Sequence, residues 1–469
     1  MIADELQRRI LACLQHTPTA DQRQAVGVFC RFLCDVRAQQ TPVFILRGSA
    51  GTGKTTLAAA IVRALLELKQ KLVLMAPTGR AAKVFATYAG HDAFTIHRRI
   101  YRQKTAGDMS AFNLNVNLST DTLFIVDEAS MVSSQDGNGT FGSGNLLDDM
   151  IHFVYSGRNC RLLLIGDKAQ LPPVGETESP ALTSDVLRGY GLTVYETDLV
   201  EVLRQSQESG ILWNATRIRG GSHSLPQIRL QGFPDICRVP GDELIESLNS
   251  SYSRVGMDET MVITRSNKRA NIYNQGIRNT VLDREDELCR GDRIMIVKNN
   301  YNLKTGSEAP SFIANGDLAV VQRVRNIHSL YGFRFAEATM TFPDYGDYEL
   351  TATVLLDTLT AEAPALTREQ QEQLYGQVMA DYMDIPLKAD RLKKMKEDKY
   401  YNALQIKFAY AATCHKTQGG QWQHVYVDQG FMTDDMLNSD YFHWLYTAFT
   451  RATEKLFLVN WPQTQISHE

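Results

Sequence analysis

Residues 48–55 read Gly48-Ser49-Ala50-Gly51-Thr52-Gly53-Lys54-Thr55, and this stretch decides the fold prediction. It matches G-x-x-x-x-G-K-[ST] and lies between an apolar run at 43–46 and a helix-forming stretch at 55–68. A strand, a glycine-rich turn and a helix in this order place backbone N–H groups and a helix N-terminus around a phosphate. We expect the loop and the adjoining Thr56 to bind a nucleotide, with Lys54 on the β- and γ-phosphates and Thr55 on Mg²⁺. The alternative is a glycine-rich turn without a ligand.

The composition is typical of a globular protein inside the cell. The chain has 469 residues, 43% hydrophobic and 22% charged, enough for about three domains of ~150 residues each. It contains no run of about 18 apolar residues, and its N-terminus lacks a basic segment followed by an apolar one. The seven cysteines are scattered and form no C-x-x-C pair, so neither a disulfide framework nor a zinc site is predicted. We therefore expect a cytoplasmic protein that does not contact a membrane.

The charge balance limits how the chain can hold nucleic acid. The net charge is −4, so the chain as a whole does not attract nucleic acid, and any path for nucleic acid must be a local basic channel. The densest basic segments are residues 98–104 and 388–399. A solvated surface is the alternative interpretation of such runs.

Apolar runs alternate with amphipathic helical stretches in the first part of the chain. The runs at 43–46, 72–75, 123–126 and 162–165 each end in a polar or glycine-rich turn. This pattern predicts a parallel sheet with helices on both faces. Ligands of such sheets bind at the carboxyl ends of the strands.

A second alternating region starts near residue 192 and is interrupted by an insertion. Residues 322–402 combine β-rich pieces with a charged helical stretch, which predicts a small barrel with a helical arm. Two segments also interrupt the first region. Residues 98–120 fit a β-hairpin, and residues 133–144, rich in Gly, Ser and Asn, fit a mobile loop.

Asp127 and Glu128 end the apolar run at 123–126. Asp127 can complete a Mg²⁺ shell opposite Thr55, and Glu128 can polarise an attacking water. An Asp-Glu pair alone is common, but its position after a strand and downstream of a P-loop favours this interpretation.

A polar loop follows the next apolar run and reads Gly166-Asp167-Lys168-Ala169-Gln170-Leu171-Pro172-Pro173-Val174. We call residues 166–174 the sensor loop. The amide of Gln170 can donate and accept, which suits contact with a γ-phosphate or an attacking water. The rigid Leu171-Pro172-Pro173 is expected to transmit its position to a neighbouring domain. An ordinary surface loop is the alternative.

Two arginines can supply the positive charge that phosphoryl transfer requires from outside the P-loop domain. Arg204 and Arg451 both belong to the second region. An arginine finger placed across a cleft accelerates transfer about 10³–10⁵-fold. We expect both to reach the γ-phosphate; a surface ion pair is the alternative for each. Near the N-terminus, the amide of Gln22 is able to read both the donor and the acceptor edge of adenine.

Taken in order, these motifs resemble those of superfamily 1 helicases. Gln170-Leu171-Pro172-Pro173 is similar to the pattern of the 5′→3′ branch that contains RecD and Dda. The motifs span residues 19–452, nearly the whole chain. Besides those above, the resemblance rests on Ala76-Pro77-Thr78-Gly79-Arg80-Ala81-Ala82, Thr95-Ile96-His97, Asn315-Gly316-Asp317, Thr413-Cys414-His415-Lys416-Thr417-Gln418-Gly419 and Tyr446-Thr447-Ala448-Phe449-Thr450-Arg451-Ala452.

The resemblance implies an α/β fold of two RecA-like P-loop motor domains, each a parallel sheet with helices on both faces. A small hairpin is inserted in the first, and an SH3-like β-rich and helical accessory domain in the second. The implied limits are 1–191 for the first motor domain with a strand-separating pin at 98–120, 192–321 and 403–469 for the second, and 322–402 for the accessory domain.

The resemblance also implies a groove for single-stranded DNA across both motor domains, lined by Pro77, Thr78, Thr95, His97, Thr413 and His415. Gln421 follows the Gln-Gly pair where relatives commonly carry an acidic residue. We therefore expect an amide to replace the carboxylate contact to the nucleotide sugar.

The implied activity is that of an ATP- and Mg²⁺-dependent DNA helicase that moves 5′→3′ on single-stranded DNA and unwinds forked duplex, acting as a monomer. One alternative is a DNA-stimulated ATPase that remodels protein–DNA complexes or works only as a subunit. Another is an ATP-gated interaction module with degenerate chemistry, which the intact set of charged motif residues disfavours.

Overall fold

The computed structural model describes residues 2–14, 16–34, 41–103, 112–135, 142–201, 208–220, 225–300, 313–433 and 436–467. The tip of the predicted hairpin, the centre of the 133–144 loop and Arg204 lie outside these residues.

The N-terminal part is built on a parallel sheet. Its strands are β1 (Pro42–Gly48), β2 (Lys71–Ala76), β3 (Ala93–Thr95), β4 (Tyr101–Gln103), β5 (Phe112–Leu114), β6 (Thr122–Val126), β7 (Arg161–Gly166) and β8 (Thr193–Leu199). The sheet order is β3-β2-β6-β7-β1-β8. Strands β4 and β5 pair antiparallel in a separate two-stranded sheet, which we call the pin hairpin.

Helices cover both faces of this sheet. They are α1 (Ile2–Ala12), α2 (Ala20–Cys34), α3 (Lys54–Glu67), α4 (Gly79–Ala89), α5 (Ile96–Ile100), α6 (Leu146–Ser156) and α7 (Ser184–Gly189). Phe44 and Leu46 point into the core under α1 to α4, whereas Val43 and Ile45 point into the core under α5 to α7. Because β1 is buried on both faces, it reads as a continuous apolar run instead of an alternating one.

The C-terminal part contains a second parallel sheet and a closed barrel. Its strands are β9 (Ile228–Arg229), β10 (Ile236–Val239), β11 (Thr260–Thr264), β12 (Arg293–Ile296), β13 (Leu318–Leu330), β14 (Phe333–Phe342), β15 (Tyr348–Leu355), β16 (Leu404–Phe408), β17 (Ala411–Thr413), β18 (Trp422–Asp428), β19 (Ala452–Val459) and β20 (Ile466–Ser467). The sheet order is β10-β19-β18-β11-β17, and β12 to β16 close the barrel.

The helices of this part are α8 (Gly210–Gly220), α9 (Leu244–Arg254), α10 (Asn267–Gly276), α11 (Arg368–Ala380), α12 (Lys388–Glu397), α13 (Cys414–Thr417) and α14 (Ser439–Phe449). Helices α11 and α12 follow the barrel strand β15 and form a small core of their own with Phe335 and Tyr400.

The two parallel sheets with their helices confirm the predicted fold class of two RecA-like domains. The structure adds two details about the borders. Strand β8 pairs with β1 in the first sheet, and the barrel takes β12 and β16 from outside residues 322–402. The domain limits and the likeness of the barrel to an SH3 domain stay predictions.

Candidate nucleotide site

The P-loop makes a tight turn between β1 and α3. Gly51 and Gly53 adopt φ angles of 78° and 81°, a conformation that glycine adopts without strain. A Cβ atom on Gly48 would lie 2.7 Å from Thr52 Oγ1, so this position tolerates no side chain. Helix α3 begins at Lys54 without a side-chain cap. Its first N–H groups are therefore available to an anion.

The side chain of Lys54 is positioned by two contacts close to this turn. Its Nζ donates to the carbonyl oxygen of Ser49 at 3.0 Å and lies 4.0 Å from Asp167 Oδ2. The ammonium group thus lies near a carbonyl oxygen and a carboxylate, and Lys54 lines the cleft described below.

Asp127 and Glu128 lie at the carboxyl end of β6. Burial, together with the neighbouring Glu128 charge, raises the pKa of Asp127 to about 7. The backbone N–H of Glu128 donates to Asp127 Oδ1 at 2.9 Å. Glu128 itself has φ 51°, an uncommon value for a residue with a side chain.

Gln170 connects the carboxylate side of the cleft with the second domain. With its amide oriented for hydrogen bonding, it donates to Glu128 Oε2 at 3.2 Å and accepts from Arg451 Nη2 at 3.3 Å. A single amide therefore contacts both the residue predicted to polarise water and the residue predicted to stabilise charge.

Arg451 is 2% exposed. Its Nε and Nη1 donate to the carbonyl oxygens of Thr447 and Gly420, each at 3.1 Å. Within the described ranges, no carboxylate forms an ion pair with it. A buried guanidinium without a carboxylate partner is costly unless an anion binds there.

One cleft of about 330 Å³ joins most of the predicted site residues. Its lining includes residues from the ends of β1, β6 and β7 and, from the second domain, Gly419, Gln421 and Arg451. The predicted residues that line it are Ser49, Ala50, Gly51, Gly53, Lys54, Thr55, Thr56, Asp127, Glu128, Gln170, Gln421 and Arg451. The cleft thus presents a P-loop, two carboxylates and one guanidinium to the same space.

Buried hydrogen bonds fasten the sensor loop to the second domain. Leu171 N donates to Thr447 Oγ1 at 2.8 Å, and Gln418 Nε2 donates to Leu171 O at 2.6 Å. The hydroxyl of Tyr446 donates to Asp167 Oδ2 and accepts from Ala50 N. The sensor loop is therefore in direct contact with the domain to which it was expected to transmit its position.

Sequence reasoning assigned no role to Asp167 or Tyr446. Both stand inside motifs that were quoted for other residues, Asp167 in the sensor loop and Tyr446 five residues before Arg451. Because both residues belong to motifs of the predicted site, the sequence could have indicated that they also lie at this site.

Two family models match the chain. An AAA domain model matches residues 19–231, and a UvrD-like helicase C-terminal domain model matches residues 408–459. The chain is 23% identical to the ATP-dependent DNA helicase Dda of Enterobacteria phage T4, covering 71% of this chain and 75% of that protein. These comparisons confirm the resemblance to superfamily 1 helicases of the RecD/Dda-like branch.

The chain is also similar to a second helicase and to a helicase of known structure. The chain is 32% identical over 130 residues to the ATP-dependent RecD2 DNA helicase of Deinococcus radiodurans, covering 28% of this chain and 16% of that protein. It is 16% identical to a Bacteroides Pif1 helicase in complex with ADP-AlF3 and ssDNA, with 97% and 95% of the chains covered and a TM-score of 0.48.

Gln22 is buried beside the P-loop and does not line the cleft. Its Nε2 donates to Thr52 O at 3.2 Å, and its Oε1 accepts from Thr19 N at 3.2 Å. The amide is thus occupied by the protein itself, and recognition of adenine stays a prediction. Gln421 lines the cleft, and its backbone carbonyl oxygen accepts a hydrogen bond from Arg80 Nη2 at 2.7 Å.

The residues predicted for the DNA groove lie at the carboxyl ends of strands in both domains. In the first, β2 and β3 end side by side, with Ala76 opposite Thr95. In the second, β17 ends at Thr413, opposite Thr264. Pro77, Thr78 and His97 follow the first pair, and His415 follows the second.

Two of these residues also stabilise helices. The hydroxyl oxygens of Thr78 and Thr95 accept from the N–H groups of Ala81 and Arg98, each at 3.2 Å, and cap α4 and α5. Burial lowers the pKa of His97 to about 4 and also lowers the pKa of His415. Both imidazoles are therefore neutral near pH 7 and suit hydrogen bonds better than charge pairing.

The cleft fits a nucleotide-bound divalent cation. Within the described ranges, no cluster of three His, Cys, Asp or Glu side chains could hold a metal by itself. Thr55 and Asp127 nevertheless line the same cleft. One hydroxyl and one carboxylate suit Mg²⁺, which keeps several waters and takes oxygens from substrate phosphates.

No helix among the described residues combines the length and the apolar character needed to cross a lipid bilayer.

Proposed function

We propose that this chain is an ATP-dependent DNA motor that moves 5′→3′ on single-stranded DNA and unwinds duplex at a fork, acting as a monomer. The observation that carries the proposal is the cleft in which the P-loop, Asp127, Glu128 and Gln170 of one domain meet Arg451 of the other. Catalytic groups divided between two domains make hydrolysis depend on the closure of the cleft.

The residues divide the work of phosphoryl transfer. Lys54 holds the β- and γ-phosphates, and Glu128 accepts the proton of the attacking water. Arg451, joined by Arg204, stabilises the charge that develops on the γ-phosphate oxygens. Mg²⁺ held by Thr55 and Asp127 would neutralise charge on the phosphate oxygens.

Gln170 links this chemistry to movement. Its amide contacts both Glu128 and Arg451. When the γ-phosphate leaves after hydrolysis, the anion beside these side chains is lost. Arg451 then loses its negative partner and the second domain is released. Candidate DNA contacts occur in both domains, so alternating grip converts each cycle into an advance along the strand.

The test is ATP hydrolysis with and without poly(dT). The wild-type chain is expected to hydrolyse ATP faster when poly(dT) is present. Lys54→Ala should abolish hydrolysis and unwinding while leaving binding of poly(dT) largely intact. Lys71→Ala, an exposed lysine at the opposite end of β2, serves as the control and should behave as wild type. Wild-type turnover in Lys54→Ala would refute the proposal.

A further inference from the structure

Glu176 fastens the stretch after the sensor loop to the segment that follows Glu128. Its Oε1 accepts from Ser133 Oγ at 2.9 Å, Ser134 N at 2.7 Å and Gln135 N at 3.1 Å. Gln135 Nε2 in turn donates to Gly175 O at 2.6 Å. Three donors from the 133–135 segment thus converge on one carboxylate oxygen.

The same segment is bound to the start of α6. Asn145 Nδ2 donates to Ser134 O at 2.7 Å, and Leu147 N donates to Ser133 O at 3.0 Å. Asn145 also caps α6 by accepting from Asp148 N at 3.0 Å. Ser133 and Ser134 are thus in direct contact with the N-terminal end of the helix.

Helix α6 holds the base of the pin hairpin. Asp149, which is 4% exposed, accepts from Tyr101 OH at 2.7 Å and from Ser143 N at 3.0 Å. Gly142 N donates to Phe112 O at 2.8 Å. A Cβ atom on Gly142 would lie 2.1 Å from Asp149 Oδ2, so this close approach requires glycine.

These contacts connect Glu176 with the pin hairpin, and the short chain segments 128–133 and 170–176 connect both sides of the Glu176 contact to the candidate nucleotide cleft. The connection runs along the chain from Glu128 and from Gln170 to the contact made by Glu176. From there it passes through the start of α6 to Tyr101 and Phe112 in the pin hairpin. We propose that Glu176 is a positioning residue for strand separation, which makes the orientation of the pin hairpin follow the state of the γ-phosphate. The inference rests on the proposed function, since it takes the pin hairpin to be the part that splits the duplex.

The experiment separates strand separation from hydrolysis. Glu176→Ala is compared with Glu178→Ala, a nearby exposed carboxylate, and with Glu176→Gln, which keeps an accepting oxygen. For Glu176→Ala we expect unwinding of a 5′-tailed duplex to fall about fivefold or more, the usual lower bound for coupling between sites. ATP hydrolysis on poly(dT) should stay within about twofold of wild type, Glu176→Gln should retain part of the unwinding and Glu178→Ala all of it.

A second variant tests the other end of the connection. Tyr101→Phe removes the hydroxyl that bonds Asp149 and should reduce unwinding in the same way. The double variant Tyr101→Phe with Glu176→Ala should lose little more than either single one, because both break the same connection. Fully multiplied losses would contradict the inference, as would wild-type unwinding in Glu176→Ala or a parallel loss of hydrolysis.

Hydrogen exchange gives a readout that does not depend on unwinding. The amides of residues 112–114 are followed with and without a non-hydrolysable ATP analogue. Wild type should show a nucleotide-dependent change, and Glu176→Ala should not. If the wild-type chain hydrolyses ATP but unwinds nothing, the proposed function fails, and this measurement still decides the role of Glu176: a change retained in Glu176→Ala overturns it.

Discussion

The hydroxyl of Tyr446, on helix α14 of the second motor domain, accepts a hydrogen bond from the P-loop N–H of Ala50 at 2.8 Å. The same hydroxyl donates to Asp167, which lies 4.0 Å from Lys54. The ring is 1% exposed. A single phenol therefore bridges the two domains at the candidate nucleotide site, and opening of the cleft must break both of its bonds.

Tyr446→Phe should lower DNA-stimulated ATP hydrolysis about tenfold. A hydrogen bond to a charged group contributes about 1.5–3 kcal/mol, and a loss of about 1.4 kcal/mol from the closed state corresponds to a factor of ten in rate. Steady-state kinetics should assign the loss to kcat. Tyr441→Phe is the matched control, since Tyr441 lies on the same helix but donates to Gln429. Equal effects of the two substitutions would contradict the bridging role.

Arg451→Ala should slow hydrolysis about 10³-fold or more, because an arginine finger contributes about 10³–10⁵ in rate. Arg451→Lys keeps the charge but loses the fork of donors that reaches Thr447, Gly420 and Gln170, so it should restore little activity. Fluorescent ATP binding is measured in parallel and should change far less than turnover. Substantial turnover in Arg451→Ala would show that Arg204 or another cation provides the charge.

Asp317 makes part of the stability depend on pH. Burial raises its pKa to about 7, although Tyr345 OH donates to both carboxylate oxygens at 2.9 Å. Between about pH 4 and 7 the folded chain keeps a proton that the unfolded chain releases. The contribution of Asp317 to the free energy of unfolding therefore falls as pH rises, by up to about 1.4 kcal/mol per pH unit.

The thermal unfolding of Asp317→Asn and wild type tests this dependence at pH 5, 6 and 7. The Tm of wild type should fall relative to that of Asp317→Asn as the pH rises. A difference in Tm that stays constant over this range would contradict the assignment.

His415→Ala should weaken binding of single-stranded DNA about three- to tenfold, the effect of one lost hydrogen bond. Since a contact to phosphate or sugar carries no sequence information, the loss should be equal for poly(dT) and for mixed sequences. His152→Ala, an exposed histidine on α6, is the control. Fluorescence anisotropy at fixed salt measures both. A loss confined to one base composition would argue for contact with a base.

Much of the candidate nucleotide cleft was predictable because its first-domain motifs each follow an apolar strand. Parallel strands end at one edge of a sheet, so Lys54, Asp127 and Gln170 had to meet there. Arg451 could be added because phosphoryl transfer needs a cation from outside the P-loop domain. These four residues do line one cleft.

Other contacts depend on packing between distant segments and could not be predicted. The bond between Tyr446 and Ala50 joins residues 396 positions apart. The closure of the barrel pairs Ile294 with Phe408, which lie outside the predicted insertion. For Gln22 the sequence indicates an amide near the nucleotide, but it cannot decide whether that amide bonds to adenine or to the P-loop backbone.

The contacts of the 133–144 segment could not be predicted from sequence either. Its composition predicts a mobile loop, and sequence alone gives no reason for its length. The described ends of the segment bond Glu176 and Phe112, two residues that no local pattern connects with it. The role of such a segment becomes visible only when its partners are placed beside it.

The most direct test of the central claim is the unwinding of two duplexes that differ only in the polarity of their single-stranded tail. With ATP and Mg²⁺, the chain should unwind the 5′-tailed DNA duplex and leave the 3′-tailed one intact, and Lys54→Ala should unwind neither. Equal unwinding of both, or unwinding of the 3′-tailed duplex alone, would contradict the account of a 5′→3′ motor.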